Sequence, residues 1–251
     1  MPSPPLRIAI LECDTPRAQT QAKYGGYGGV FKQMLERGAE DLGHPGLSAS
    51  EGIELSMYKV EEEQYPNLDD IDAILITGSK HDSFADTPWI QKLVAFTKSV
   101  LDHERVRAIG VCFGHQIIAR ALGQRVDRGT KGWELSVVPI ELSAKGKELF
   151  KVDNLSIWQM HKDEVYGIPP GVEQLASTAI CDNQGMYKAK SFITVQGHPE
   201  FTREIEEEII TGRYREGVFT EDMYTDAMQR LQDKDDGLIV AQAFLRFLLE
   251  D

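Results

Sequence analysis

Positive charge is what this sequence has least of: 27 lysines and arginines stand against 40 aspartates and glutamates, a formal net charge of −13 over 251 residues. Such a surface repels phosphate backbones, so nucleic acid is not the expected partner. Cysteine is also scarce, with Cys13, Cys112 and Cys181 alone. An odd number without metal-ligand spacing argues against a disulfide framework and a structural metal, and fits a reducing compartment. No apolar run reaches ~18 residues, the length a membrane helix needs, and no charged-then-apolar leader is visible, since Met1-Pro2-Ser3-Pro4-Pro5 precedes the first apolar stretch. No membrane association is expected, and the default location is cytoplasmic. The glycine-rich segment Tyr24-Gly25-Gly26-Tyr27-Gly28-Gly29 lacks the lysine of a phosphate-binding loop and the spacing of a dinucleotide site. It reads as a flexible loop before a helix, and no cofactor is expected.

What is present is enough hydrophobic residue, 41%, for a substantial core, and the reading is one domain over 1–251. Apolar stretches at 6–11, 55–60 and 73–77 read as strands, and 30–37 and 89–101 as helices. That alternation predicts an α/β fold, a mainly parallel sheet flanked by helices. Further strands at 135–142, 155–160 and 174–180, with fewer helices between them, predict an antiparallel extension. From about residue 219 the chain reads as a polar helical tail, broken at Asp235-Asp236-Gly237 and packed on the main domain.

The chemistry centres on Ile109-Gly110-Val111-Cys112-Phe113-Gly114-His115-Gln116. Cys112 falls between a strand-like stretch, 107–111, and a helix-like one, 116–122. A nucleophile on such a strained turn needs small neighbours two residues to either side, and Gly110 and Gly114 supply them. The following helix points its positive end at the sulfur, which favours thiolate over thiol. An isolated cysteine here would more often be an inert packing group. A nucleophilic thiol needs a base and a group to orient that base. Both occur in Gln196-Gly197-His198-Pro199-Glu200, where His198 would emerge from a buried strand over 192–195 and Glu200 stands within reach of its imidazole.

These motifs, with Ile74-Leu75-Ile76-Thr77-Gly78-Ser79 upstream, resemble in order and spacing the class I glutamine amidotransferases of the Cys-His-Glu triad type, over roughly Arg7 to Phe201. Closest in character are the glutaminase portion of GMP synthetase and its stand-alone relatives, which include gamma-glutamyl peptidases. The resemblance implies a flavodoxin-like fold, Cys112 as nucleophile, His198 as general base and acid, and Glu200 as its orienter. It further implies an oxyanion hole formed by the backbone N–H groups of Phe113 and Gly78. Gln116, Ser79, His161 and Asp163 match positions near the glutamyl pocket, and Tyr24 or Tyr27 could border its entrance. From the residues themselves, His161 could equally open a helix, with Asp163 in its first turn.

The expected activity is cysteine-dependent hydrolysis of a γ-glutamyl amide through a γ-glutamyl thioester. Glutamine and glutathione-like peptides compete as the small-molecule substrate, because they share the glutamyl half. No acceptor domain follows the motifs, so the expectation divides between autonomous hydrolysis and supply of ammonia to a separate synthase subunit. A non-catalytic regulatory module of the same family is the reading from another class.

Overall fold

The two buried faces of the first strand set the architecture. In the computed structural model, which describes residues 3–250, β1 (Leu6–Glu12) turns Ile8 and Ile10 to one face and Ala9 and Leu11 to the other, as successive residues of a strand must. Helices α1 (Ala18–Tyr24) and α2 (Tyr27–Leu42) follow, then β2 (Ile53–Lys59), β3 (Ala73–Ile76), α3 (Pro88–Asp102), β4 (Arg107–Val111) and α4 (Phe113–Ala121). Both faces of β3 and β4 are covered, which is why they read as unbroken apolar runs without alternation.

The second half contributes β5 (Arg125–Arg128), β6 (Glu134–Leu142), α5 (Ala144–Phe150), β7 (Leu155–His161), β8 (Asp163–Tyr166), β9 (Glu173–Ser177), β10 (Gly185–Lys188) and β11 (Phe192–Val195). Helices α6 (Arg203–Arg215), α7 (Glu221–Arg230) and α8 (Gly237–Leu248) complete the described chain. One nine-stranded sheet runs in the order β2-β1-β3-β4-β11-β10-β9-β6-β7. Pairing is parallel from β2 through β11 and antiparallel from β11 through β7, so the expected parallel sheet and antiparallel extension are both present. Strands β5 and β8 pair separately as an antiparallel ribbon.

Helices cover both faces. On one, Phe31 and Leu35 of α2, Phe150 of α5 and Phe244 and Phe247 of α8 pack on Ile8, Ile10 and Leu75. On the other, Leu93 of α3 and Ile117 of α4 pack on Leu11, Ile74 and Ile76. Helices α6 and α7 close over β6 and β7 through Ile205, Ile209, Ala227 and Trp158.

Two expectations need correction. The tail is not polar throughout, for Val240, Phe244, Leu245 and Phe247 of α8 are fully buried. A Cβ at Gly38 would stand 2.9 Å from that of Ala241, so α2 and α8 touch almost backbone to backbone. The break at 235–237 is a tie: Asp236 donates its N–H to the Ser156 carbonyl (2.7 Å) and accepts the Ser156 N–H on its carboxylate (2.9 Å). The second correction concerns Tyr24 to Gly29, which is the junction of two helices and no free loop: Tyr24 ends α1, Tyr27 begins α2, and the Gly28 N–H donates to Glu12 (2.7 Å). No helix among the described residues is long and apolar enough to cross a membrane.

If α8 is core, Phe244→Ala should cost about 3–5 kcal/mol of unfolding free energy, as other buried phenylalanines do. Urea unfolding followed by circular dichroism measures it, and a change below about 1 kcal/mol would return α8 to the surface.

Candidate active site

Cys112 occupies the turn between β4 and α4 with φ 51° and ψ −103°, a conformation that a residue with a side chain adopts only under constraint. The constraint is visible in its neighbours. A Cβ on Gly110 would meet the Gly114 carbonyl oxygen at 2.7 Å, and one on Gly114 would meet that of Ile76 at 2.2 Å. Only glycine at both positions lets α4 fold back so closely. The Cys112 N–H donates to the Val195 carbonyl (2.9 Å) and its own carbonyl accepts from the Gln116 N–H (3.1 Å), which leaves the sulfur at the N-terminal end of α4.

The bond to Val195 brings the second motif alongside. His198 lies just past β11, its N–H held by the Trp158 carbonyl (2.8 Å). Its Nδ1 pairs with Glu200 Oε1 at 2.8 Å, both side chains buried. The Phe201 ring stacks on the imidazole, with centroids 4.0 Å apart and 10° between planes. The ring is thus fixed in rotation and in plane. Burial opposes its charge, but the Glu200 carboxylate and then the Cys112 sulfur outweigh that, and His198 titrates well above the usual histidine range. Gly78, beyond the end of β3, closes the arrangement. A Cβ there would lie 2.7 Å from His198 Cε1 and 3.7 Å from the Cys112 Cβ, so only bare backbone fits beside both groups.

Two hollows flank this line. The smaller, about 240 Å³, is bordered by Cys112, Gln116, Ser79, His161, Lys162 and Asp163. The larger, about 490 Å³, is bordered by His198, Gly78, Tyr27, Phe201 and Arg17. Ser79, Lys80, Met160, Arg213 and Val218 border both. A further hollow of about 500 Å³ opens behind Glu200, between α2 and residues 231–239, and does not touch Cys112.

The residues expected around the glutamyl pocket therefore gather, in unequal ways. Gln116 is buried, and its amide group donates to the Asp163 carbonyl (3.2 Å) and to Gln196 Oε1 (3.0 Å), which leaves Oε1 to accept from a ligand. Ser79 Oγ accepts from the His81 N–H (3.1 Å). Asp163 forms an ion pair with Arg128, and burial, more than any neighbouring charge, raises its carboxyl. No helix starts at His161: it ends β7 and Asp163 begins β8. Its Nε2 pairs with Glu134 (2.9 Å) and its Nδ1 with the Asp163 carbonyl (3.0 Å). Both nitrogens are occupied, so His161 braces the wall of the pocket. Tyr27 borders the larger hollow and Tyr24 does not, though both pack on the buried cluster that holds Ile205 and Ile209 of α6.

Three features escaped the sequence reading. Phe201 is one. Glu134, His161 and Cys181 form another, a buried group whose potential ligand atoms lie within 4.8 Å of one another. The Glu134 carboxylate there already accepts from His161, from Gln184 (2.6 Å) and from Thr178 (2.7 Å), so the group is satisfied internally. Glu206 is the third. Fully buried on α6, it accepts the Ser136 N–H on Oε1 (3.0 Å) and leaves Oε2 without a partner. Burial lifts its carboxyl to about 8, against a smaller opposing pull from His198. It lies in the acidic run Glu204 to Glu208, where only helical phase, four residues before Ile210 and seven before Arg213, marks it as inward-facing.

The sequence model described as glutamine amidotransferase class-I matches residues 30–214. The chain belongs to the class I glutamine amidotransferases. A glutamine amidotransferase-like protein of Schizosaccharomyces pombe is 36% identical over 252 residues, covering 97% of this chain and 98% of that one. Gamma-glutamyl peptidase 3 of Arabidopsis thaliana is 33% identical over 213 residues, covering 81% and 79%. Among solved structures, a glutamine amidotransferase from Thermotoga maritima superposes with a TM-score of 0.74 at 16% identity, over 97% of this chain and 98% of that one. That likeness is one of fold.

This geometry supports two tests. Gly78→Ala should push His198 off its line and lower turnover about 100-fold, the usual effect of misplacing a reacting group by an ångström, with little change in melting temperature. An unaffected rate would show that the bare backbone at 78 is dispensable. For Glu206, a folded pKa near 8 against 4.5 for the free group means that folding is unpenalised below pH 4.5 and loses stability as pH rises toward 8. The loss is on the order of 4 kcal/mol. Glu206→Gln should remove that slope, so urea unfolding from pH 5 to 8 should show the variant gaining on the parent. Parallel pH profiles would contradict a protonated Glu206.

Proposed function

We propose that the protein hydrolyses γ-glutamyl amides by covalent catalysis at Cys112. The observation that carries the proposal is the buried Glu200–His198 pair, fixed beside a cysteine held in left-handed backbone at a helix N-terminus. The Cys112 thiolate attacks the γ-carbonyl carbon and forms a tetrahedral oxyanion. The backbone N–H groups of Phe113 and Gly78 are the assigned donors to that oxygen. His198, held as imidazolium by Glu200, gives its proton to the departing amine as the C–N bond breaks, leaving a γ-glutamyl thioester. The imidazole then takes a proton from water as its oxygen attacks the thioester, and the collapse releases glutamate and restores the thiolate–imidazolium pair. Gln116, Asp163 and Ser79, which border the smaller hollow with Cys112, are the assigned holders of the glutamyl end.

Likeness to a gamma-glutamyl peptidase over four-fifths of the chain supports γ-glutamyl peptides as substrates beside glutamine, and autonomous action over delivery of ammonia to a synthase. The test is a panel of glutamine, glutathione and a glutathione S-conjugate on the purified protein, with ammonia, glutamate and peptide products quantified. Cys112→Ser should abolish turnover of every active compound and block labelling by a diazo-oxo-norleucine electrophile, while circular dichroism stays unchanged. His198→Ala should lose nearly all rate, and Glu200→Gln less, because an acceptor for Nδ1 remains. Retained turnover in Cys112→Ser would remove the thioester route. Turnover of glutamine alone, accelerated by a co-purifying synthase, would favour the ammonia-supplying role.

A further inference from the structure

On the γ-glutamyl hydrolase reading, from which the present inference starts, the glutamyl half is common to all the candidate substrates and the leaving group decides among them. His198 must reach the departing nitrogen to protonate it. The hollow that His198 borders is therefore the leaving-group side, and the one bordered by Cys112, Gln116 and Asp163 is the glutamyl side. The leaving-group side measures about 490 Å³. Ammonia would need about the ~30 Å³ of one water molecule. The space suits an amine with a body of its own.

Its charges are more specific. Lys80 is paired with Asp14 at 2.6 Å, and Arg17 with Glu216 at 2.7 Å. Arg17 also lies flat over Gly212, where a Cβ would meet its guanidinium at 2.1 Å. Arg213, the next residue, forms no ion pair with a carboxylate among the described residues. Its guanidinium rests on the Trp133 ring, 5.3 Å from the centroid, and the half-buried side chain stands at the boundary of the two hollows, where it reaches the leaving-group side. Glu206 acts on it only from beyond ion-pair distance. A guanidinium oriented on an aromatic face, with its donors uncommitted, is built to take a carboxylate. Around it Met160, Ile209 and Val218 give the hollow an apolar lining.

We propose that Arg213 binds the free carboxylate of the leaving amine, so that the preferred substrates are γ-glutamyl peptides ending in an amino acid with an unblocked carboxyl group. Arg213 acts there as a specificity residue. It anchors the far end of the leaving group while its amine nitrogen faces His198.

The experiment compares kcat/KM for glutathione, its C-terminal amide and glutamine, in the parent protein and in Arg213→Gln, which removes the charge but keeps a planar polar group over Trp133. The parent should favour the free acid over the amide by about 10- to 100-fold, the range expected for a hydrogen bond to a charged group. In Arg213→Gln that ratio should fall to about 1, chiefly through KM, and Arg213→Lys should restore part of it. Equal rates for acid and amide in the parent would overturn the proposal, as would a ratio that survives the substitution. Equal losses for glutamine and glutathione would also overturn it, by placing Arg213 on the glutamyl side. If no compound were turned over and Cys112 resisted the electrophile, the hydrolase reading itself would fail, an outcome distinct from all of these.

Discussion

The left-handed backbone at Cys112 is the constraint on which the rest of the site depends. A side chain at φ 51° persists only where the surroundings over-determine it, and here three contacts do so. Gly110 and Gly114 allow α4 to lie against β3 and β4 at distances no other residue permits, and Val195 holds the Cys112 N–H. The same hydrogen bond makes Cys112 and the strand leading to His198 immediate neighbours. In the register of β4 and β11, Val111 stands opposite Val195, so the chain leaving β11 has three residues in which to turn back and present His198. Strain at Cys112 and placement of His198 are thus one structural fact.

An imidazole so placed needs support from behind, and the C-terminal segment gives it. A Cβ on Gly237 would meet the Pro199 carbonyl at 2.3 Å, so the start of α8 lies directly against the loop that holds His198 and Glu200. Asp236 ties that start to Ser156 of β7, two residues before the Trp158 whose carbonyl holds the His198 N–H. The apolar face of α8 then anchors the segment in the core. Packing far from the reacting atoms therefore fixes the Glu200–His198 pair, and the helix belongs to the site's support as much as to the core.

The legible parts of this arrangement were those carried by local pattern. Glycines flanking a cysteine between strand and helix, and a histidine and glutamate after a buried strand, state their geometry in a few residues, and alternating strands and helices state the sheet. Other parts depend on which side of an element faces inward. Glu206 is indistinguishable by type from Glu204, Glu207 and Glu208, and Arg213 from Arg215, until the phase of α6 is known. The tail misleads because from about residue 219 it reads as one polar window. Its polar first half masked an apolar helix beginning at Gly237. For His161 and Asp163 a helix start stays open as an alternative, because a histidine two residues before an aspartate fits a first turn as well as a strand reversal, and only the pairing of β7 with β6 and β8 with β5 decides between them.

On the proposed function an acidic protein would act on an anionic substrate, and the cleft meets that electrostatic problem locally. With a net charge of −13, the distant surface repels a γ-glutamyl compound, but repulsion from exposed charges is largely lost beyond the ~8 Å screening length of physiological salt. Among the side chains that border the two hollows, five lysines and arginines stand against four carboxylates. Lys80, Arg17 and Arg128 border the hollows, each matched by a carboxylate, so together they add little net field. Lys162, on the glutamyl side, and Arg213, shared by both sides, form no ion pair among the described residues. Two unmatched cations therefore border the hollows beside Cys112, and on the proposed function a substrate would meet both. A molecule with a carboxylate at each end satisfies both, and glutamine satisfies only one.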